Sequence, residues 1–258
     1  MKRFELDGSI QYRGSSGFQL RTGRPIRFEG DEGKAIIITG ENNAGKTTML
    51  RAITGDPKVE VNGTLNFTFN GRDPNIVYMP QNLPVEVIVK PVKISDYVNV
   101  REEMVPIADE MGVPLDRMTN EVSLGTLRKA QILRTLFLEG DVYVLDEPTS
   151  NLDRAAKRSV ANIIIDGMRE GKWFIVACND PGLCGEIATD IIFLTLKSEG
   201  LSIADYIHLR PMVMDGMAGL TLRRLARFYC EYFTSFMYKE GRVTIKRGAY
   251  GEEIPDVI

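Results

Sequence analysis

The sequence predicts an α/β protein with a mainly parallel sheet, an antiparallel β part and a small helical insertion. Short apolar runs typical of buried strands alternate with helical segments over residues 35–196, as in βαβ architectures. A glycine-rich loop joins the first of these runs to a helix at residues 40–48. Prolines divide residues 83–122 into short pieces, which favours a helical insertion over a layer of sheet.

Length and composition bound the possible functions. The 258 residues are 43% hydrophobic and 26% charged, which is ordinary for a globular domain with a small appendage. A net charge of −3 gives no basic field that would predict nucleic-acid binding. No apolar run approaches ~18 residues and the N-terminus does not resemble a signal peptide, so we expect no membrane span. The three cysteines show no metal-ligand spacing and suit a reducing compartment.

Residues 40–48 match G-x-x-x-x-G-K-[ST], the phosphate-binding loop of nucleotide hydrolases. The two glycines allow a tight turn that directs backbone N–H groups at phosphates. The lysine supplies charge for the β- and γ-phosphates, the threonine hydroxyl can bind Mg²⁺, and the next helix presents its positive N-terminus. We therefore predict a nucleotide site formed by Gly40, Glu41, Asn42, Asn43, Ala44, Gly45, Lys46, Thr47 and Thr48.

An aromatic residue upstream of the loop is a candidate for stacking on the adenine. Phe18 lies at a suitable distance along the chain, and Tyr12 is the second candidate. An ordinary place in the strand core explains either residue equally well.

Two Asn-Gly pairs predict turns after the first helix. Asn62-Gly63 separates residues 59–61 from residues 64–69, which predicts a hairpin, and Asn70-Gly71 predicts a second turn. A short strand at 76–79 then leads to Pro80-Gln81-Asn82, and segments 94–104 and 107–112 are predicted helical. Ser123 is a good N-cap for a strong helix over 127–138.

A second apolar strand, residues 141–147, ends in two carboxylates, Asp146 and Glu147. Because side chains alternate along a strand, these two point in different directions. One can hold Mg²⁺ through water while the other orients an attacking water. A helix at about 154–169, a strand over 172–178 and a strand over 191–196 complete the pattern.

With these motifs in order, residues 4–196 resemble an ATP-binding-cassette (ABC) ATPase. The most specific part is residues 144–153, Val-Leu-Asp-Glu-Pro-Thr-Ser-Asn-Leu-Asp, which is similar to the family's second Walker motif and dimer-contacting loop. Gln81 stands where the family keeps its Q-loop glutamine, and residues 122–126 stand where it has Leu-Ser-Gly-Gly-Gln.

The resemblance implies a P-loop NTPase fold of ABC type and a head-to-tail pair of cassettes, with ATP and Mg²⁺ between them. By this resemblance, Lys46, Thr47 and Gln81 bind ATP and Mg²⁺ in cis, and Asp146 contacts Mg²⁺. Glu147 is the general base or water-orienting group. Ser123 and Gly125 contact the γ-phosphate of the ATP that the partner cassette holds.

Two motifs depart from the family pattern, the signature and the switch position. The signature has Leu124 and Thr126 in place of Gly and Gln, a mild change because the phosphate-facing serine and glycine are kept. Asn179 stands where the family has a switch histidine, and the chain's only histidine, His208, matches no motif. An amide can donate one hydrogen bond to the γ-phosphate but cannot carry charge, so we expect slow hydrolysis or a dependence on a partner.

We predict an ABC ATPase domain over residues 1–196, with its helical insertion at about 83–135, and a C-terminal extension over 197–258. The extension is predicted to hold one helix from residue 220 to 239 and a short strand at 241–246. That helix either packs on its own domain or forms a subunit contact.

The leading function is the ATP-binding subunit of an ABC transporter. It would be cytoplasmic, at the inner face of the membrane, and would partner a second cassette, as a homo- or heterodimer, and membrane permease subunits. The alternatives are a soluble ABC ATPase outside transport and a regulatory cassette with weak hydrolysis.

Overall fold

The structure, a computed structural model, describes residues 1–14, 17–198, 200–208, 236–239 and 242–245. Ten strands form one sheet. In chain order they are β1 (Lys2–Tyr12), β2 (Gln19–Thr22), β3 (Ile26–Gly30), β4 (Lys34–Gly40), β5 (Val59–Phe69), β6 (Ile76–Met79), β7 (Val142–Asp146), β8 (Trp173–Ala177), β9 (Asp190–Ser198) and β10 (Leu201–His208).

Half of the sheet is parallel, in the spatial order β9-β4-β8-β7-β6. The other half is largely antiparallel, since β1 pairs with β2, β3 and β5, and β10 pairs with β9. Strand β10 joins the halves by parallel pairing with β2. The predicted α/β class is confirmed, with parallel and antiparallel strands mixed in one sheet and neither kind clearly in the majority.

The helices predicted after the phosphate loop, after Ser123 and at about 154–169 are present, and the insertion holds a group of short ones. The helices are α1 (Lys46–Ile53), α2 (Val85–Val89), α3 (Ile94–Val98), α4 (Val105–Met111), α5 (Leu124–Leu136), α6 (Arg154–Arg169) and α7 (Pro181–Ile187). The predicted helix over 94–104 is wrong beyond Val98, because Asn99 takes φ +55° and ends it. A membrane-crossing helix is absent from the part of the chain that the structure describes.

The central strands are buried on both faces. Along β4, Ala35 and Ile37 belong to a core that includes α5 and α6 residues, whereas Ile36 and Ile38 belong to a second core with α1 and the antiparallel strands. Alternation along the strand sends successive side chains to opposite faces, which explains the continuous apolar runs. The strands β4, β6, β7 and β8 all end at one edge of the sheet, where the candidate site lies.

The predicted hairpin at Asn62-Gly63 is wrong. Residues 59–69 form the single strand β5, which pairs with β1 over its whole length, with Gly63 opposite Gly8. Both glycines have φ near +135°. Glycine is therefore required at these positions because the β1 and β5 backbones adopt this conformation where they pair, and not because the chain turns there. The turn at Asn70-Gly71 is present, because both residues have positive φ and Phe69 bonds with Arg72.

Two boundaries near the C-terminus need correction. Strand β10 belongs to the main sheet, so the division at residue 196 falls inside β9. The predicted helix over 220–239 is wrong at its end, because Phe236–Lys239 forms a strand, β11, paired with β12 (Arg242–Ile245). Residues 220–235 lie outside the described part of the chain.

Candidate functional site

The loop between β4 and α1 has a conformation that few residue types adopt. Gly40, Asn43 and Gly45 have φ of 153°, 66° and 96°, in the region that favours glycine and, next, asparagine. A Cβ on Gly40 would lie 2.4 Å from the Leu194 carbonyl oxygen. Helix α1 begins at Lys46 without an acidic residue in its first turn, which leaves its N-terminus suited to an anion.

Lys46 lies within this loop. Its Nζ donates to the carbonyl oxygens of Gly40 (3.0 Å) and Glu41 (3.3 Å). Burial lowers the pKa of Lys46, while the carboxylates of Glu147 and Asp146 act in the opposite direction. The ammonium group is therefore held, partly desolvated, next to the position where phosphates would lie.

Two carboxylates follow one another at the end of β7. Asp146 is buried, and its Oδ2 accepts a hydrogen bond of 2.9 Å from the Thr47 hydroxyl. Glu147 has φ +49° and its backbone N–H donates to the Ala177 carbonyl. Burial raises the pKa of both carboxyl groups, and Lys46 opposes the rise in each. Hydroxyl and carboxylate oxygens that converge in this way are the donors that Mg²⁺ prefers.

These groups line a cleft of about 740 Å³. Gln81, which follows β6, reaches the same cleft. The structure thus brings together most of the residues predicted from the sequence; the lining consists of Tyr12, Phe18, Asn42, Asn43, Gly45, Lys46, Thr47, Thr48, Gln81, Asp146 and Glu147.

Both aromatic candidates lie at the cleft. The Phe18 ring lies against the loop, and a Cβ on Gly45 would be 2.6 Å from its Cζ atom. The Tyr12 hydroxyl accepts a hydrogen bond from Arg51 at 3.3 Å. The contact with the loop favours Phe18, and Tyr12 stays the second candidate for the adenine.

Asn179 is placed beside the loop, not in the lining of the cleft as the structure describes it. Its Oδ1 accepts from the Thr39 hydroxyl (3.0 Å) and from the Gly40 N–H (3.5 Å). Its backbone N–H forms a hydrogen bond that lowers the pKa of Glu147. The side chain therefore supports the start of the loop and the backbone supports the carboxylate.

The predicted signature residues lie elsewhere. The Ser123 Oγ accepts from the Thr126 N–H at 3.1 Å and caps α5, as predicted. Ser123 is exposed, as is Leu124 at 64%, while Gly125 is partly buried. Of the described residues that line the cleft, none comes from α5, so this chain does not bring Ser123 and Gly125 to its own loop.

Two polar residues of the site were missed. Arg128 and Gln131 are buried on α5. Between them they donate to the backbone carbonyls of Asp146 and Glu147 and to the two carbonyls that flank Gln81. A sequence signal existed, because an arginine and a glutamine three positions apart lie on the face that also carries Leu127. Buried polar groups on an apolar face need partners, but the identity of those partners depends on the tertiary fold.

Comparison with known proteins agrees with this geometry. The family model described as ABC transporter matches residues 24–150. The glutamine transport ATP-binding protein GlnQ of Bacillus subtilis (strain 168) is 25% identical over 195 residues, covering 66% of this chain and 79% of that protein. The zinc import ATP-binding protein ZnuC of Ehrlichia canis (strain Jake) is 32% identical over 148 residues, covering 54% and 59%.

Solved structures show the same fold. The RNase-L Inhibitor structure matches with a TM-score of 0.63 and 21% identity, over 97% of this chain and 47% of that one. The chain thus spans about half of that protein and 59% of the zinc import protein. From the family model, these relatives and the motifs gathered at one edge of the sheet, we conclude that the chain belongs to the ABC ATPase family.

Proposed function

We propose that the chain is the ATP-binding subunit of an ABC transporter, which binds and hydrolyses ATP in a dimer of cassettes. The observation that carries this proposal is the meeting of Lys46, Thr47, Asp146 and Glu147 in one cleft next to Gln81. The relatives named for glutamine transport and zinc import support the transporter role. The proposed partners are a second cassette and membrane permease subunits, which would hold the chain at the cytoplasmic face of the membrane.

The loop residues bind the triphosphate. Backbone N–H groups of the loop, the N-terminus of α1 and the Lys46 ammonium group are the anion-binding elements. Thr47 and Asp146, with Gln81, supply oxygen donors for Mg²⁺, and the bound ion would neutralise charge on the β- and γ-phosphates. Phe18 offers a ring for the adenine, and Ser123 and Gly125 would bind the γ-phosphate held by the partner cassette.

Glu147 acts on the attacking water. Burial raises the pKa of its carboxyl group, which makes the carboxylate a better proton acceptor. The water oxygen bonds to the γ-phosphorus while the bond from that phosphorus to the β–γ bridging oxygen breaks, giving ADP and phosphate. Glu147 accepts a proton from the attacking water or orients that water, and the loop keeps the diphosphate of the leaving ADP bound.

The test is turnover and dimer formation in Glu147→Gln. We expect Mg²⁺-dependent ATPase activity in the parent, a loss of about 10²-fold or more in the variant, and an ATP-dependent dimer of the variant in size-exclusion chromatography. The matched control is Glu139→Gln, an exposed glutamate before β7, which should hydrolyse ATP like the parent. Unchanged turnover in Glu147→Gln would contradict the assignment.

The transporter role is tested by purifying the chain from membrane preparations. Multispanning membrane subunits that co-purify with the chain would support the transporter role, and their absence would favour a soluble ATPase.

A regulatory cassette with weak hydrolysis is the second candidate. The observation that favours it is the neutral Asn179, whose amide oxygen is already bound to Thr39 and Gly40. In that case ATP binding, rather than its hydrolysis, would control the partner.

A further inference from the structure

Arg128 is a buried arginine whose hydrogen bonds converge on the catalytic edge of the sheet. Its side chain is 8% exposed. Nη1 donates to the Pro80 carbonyl (2.8 Å) and Nη2 donates to the carbonyls of Asp146 (2.9 Å) and Glu147 (3.0 Å). One guanidinium group therefore binds the backbone at the ends of both β6 and β7.

Gln131, one turn further along α5, completes the arrangement. Its Oε1 accepts from Arg128 Nη1 at 2.7 Å, and its Nε2 donates to the Asn82 carbonyl at 3.4 Å. The two side chains thus hold the carbonyl groups on both sides of Gln81. All these acceptors are neutral oxygens. The contact therefore depends on the planar guanidinium group, which presents several N–H donors at once, and not on a direct ion pair.

The Glu147 backbone needs such support. Its φ of +49° is uncommon for a residue with a Cβ and persists where the surroundings hold it. Its N–H bonds to Ala177 and its carbonyl bonds to Arg128, so both sides of the residue are fixed. The charge of Arg128 also lowers the pKa of Asp146 and Glu147, against the larger effect of burial.

We propose that Arg128, oriented by Gln131, is a positioning residue for ATP hydrolysis that holds Gln81 and Glu147 in a fixed place relative to α5. The same helix begins at Ser123, the residue expected to meet the partner's nucleotide. Arg128 therefore connects the Glu147 carboxylate, which acts on the ATP of this cassette, with the N-terminus of α5, which contacts the ATP of the partner cassette. This inference rests on the proposed function.

The Arg128→Lys variant separates positioning from a purely structural role, in which Arg128 would only hold α5 on the sheet. Lysine keeps the charge and one hydrogen bond but cannot reach several carbonyls in one plane. Arg128→Lys should therefore keep the fold and lose positioning. Arg134 is the matched control on the same helix: it is exposed and donates to the Tyr97 carbonyl at 2.9 Å, within the helical insertion.

The experiment compares Arg128→Met, Arg128→Lys and Arg134→Met with the parent. Steady-state ATPase kinetics with Mg²⁺ are measured at a temperature where circular dichroism shows each protein to be folded. We expect both Arg128 variants to lose about 10- to 100-fold in kcat, as misplacement of a reacting group does, with KM changed less than about threefold. Arg134→Met should stay within about twofold of the parent in both constants.

Each outcome decides the inference. Arg128 variants that match Arg134→Met in kcat would overturn it while leaving the proposed function standing. Arg128 variants that fail to fold, both Met and Lys, would show a structural role and overturn it as well. A parent that binds ATP but shows no turnover, alone or with its partner, would overturn the hydrolysis in the proposed function and, with it, this inference.

Discussion

Glu147 shows how one residue combines strain and charge. Its left-handed backbone costs of the order of 1–3 kcal/mol, and its carboxylate lies beside that of Asp146 in a partly desolvated place. Burial is the largest cause of its raised pKa, and Asp146 adds to it. A protein tolerates such a group where its chemistry is needed, so removing the charge should stabilise the ligand-free fold.

Glu147→Gln should raise the stability of the protein without nucleotide at pH 7 by ~1 kcal/mol, in the range of single stabilising substitutions. The folded state holds the Glu147 proton more tightly than the unfolded chain, whose carboxyl group has the ordinary pKa of 4.5. The group therefore stabilises the fold below pH 4.5, and this contribution is lost as the pH rises through the raised pKa. Thermal unfolding of variant and parent between pH 4 and 8 measures the difference.

The advantage of the glutamine variant should shrink as the pH falls towards 4.5. Glu139→Gln, at an exposed position, is the control and should show a small difference at every pH. A difference in Tm between Glu147→Gln and the parent that stays constant over this range would show that its cause is not the carboxylate.

We predict that Asn179 limits the rate of ATP hydrolysis. Asn179→His should raise kcat about tenfold or more, because imidazole can contact the γ-phosphate and gain positive charge as that group becomes more anionic. The parent should be slow without a partner. The comparison is made by steady-state ATPase assays with any permease partner present, and Asn179→Gln, which keeps a neutral amide, should be no faster than the parent. A fast parent would show that Asn179, which binds Thr39 and Gly40, is sufficient.

At the scale of the element, the pair Gly8 and Gly63 decides the path of β5. A Cβ on Gly63 would lie 2.2 Å from the Asp7 carbonyl oxygen, and a Cβ on Gly8 would lie 2.2 Å from that of Asn62. The two backbones approach closely, with both glycines near φ +135°. The Asn-Gly signal is therefore overridden by the continuous pairing of β5 with β1.

Gly63→Ala should destabilise the protein by about 2–3 kcal/mol, through the clash and the strained backbone. Urea unfolding measures the loss. Gly71→Ala is the matched control, since its φ is +79° but nothing lies within 4 Å of the added Cβ; it should lose only about 1–2 kcal/mol, the cost of the left-handed conformation. Equal losses at the two positions would contradict the close approach of β1 and β5.

At the scale of the whole molecule, the cleft draws on separate parts of the chain. The loop after β4, Gln81 after β6 and the carboxylates at the end of β7 meet because parallel strands end at one edge. A ligand bound there contacts several elements at once, so its binding free energy should stabilise the folded chain.

Mg²⁺ and ATP at 100-fold above Kd should stabilise the parent by about 2.7 kcal/mol, or about 5–11 °C in Tm for a domain of this size. Lys46→Ala removes a charge-assisted contact of ~1.5–3 kcal/mol, so at the same ligand concentration its gain should be at most about 1.4 kcal/mol. The exposed Lys58 provides the control variant Lys58→Ala, which should respond like the parent. A full shift in Lys46→Ala would refute the phosphate-loop assignment.

The sequence by itself determined the parts of this protein that depend on local pattern. The apolar runs of β4, β7 and β8, the phosphate-binding loop, the N-cap Ser123 and the turn at Asn70-Gly71 were all predicted. Each rests on neighbours within a few residues along the chain, so its physical cause is visible in the sequence. The α/β class followed from the order of these segments.

Only the tertiary structure decided the features that join distant residues. The pairing of β10 with β2 joins positions some 180 residues apart, and the single strand β5 depends on β1 across the sheet. Arg128 finds carbonyls 18 and 48 positions away. A buried guanidinium must find acceptors, but burial and acceptors alike arise only when the strands and α5 pack together.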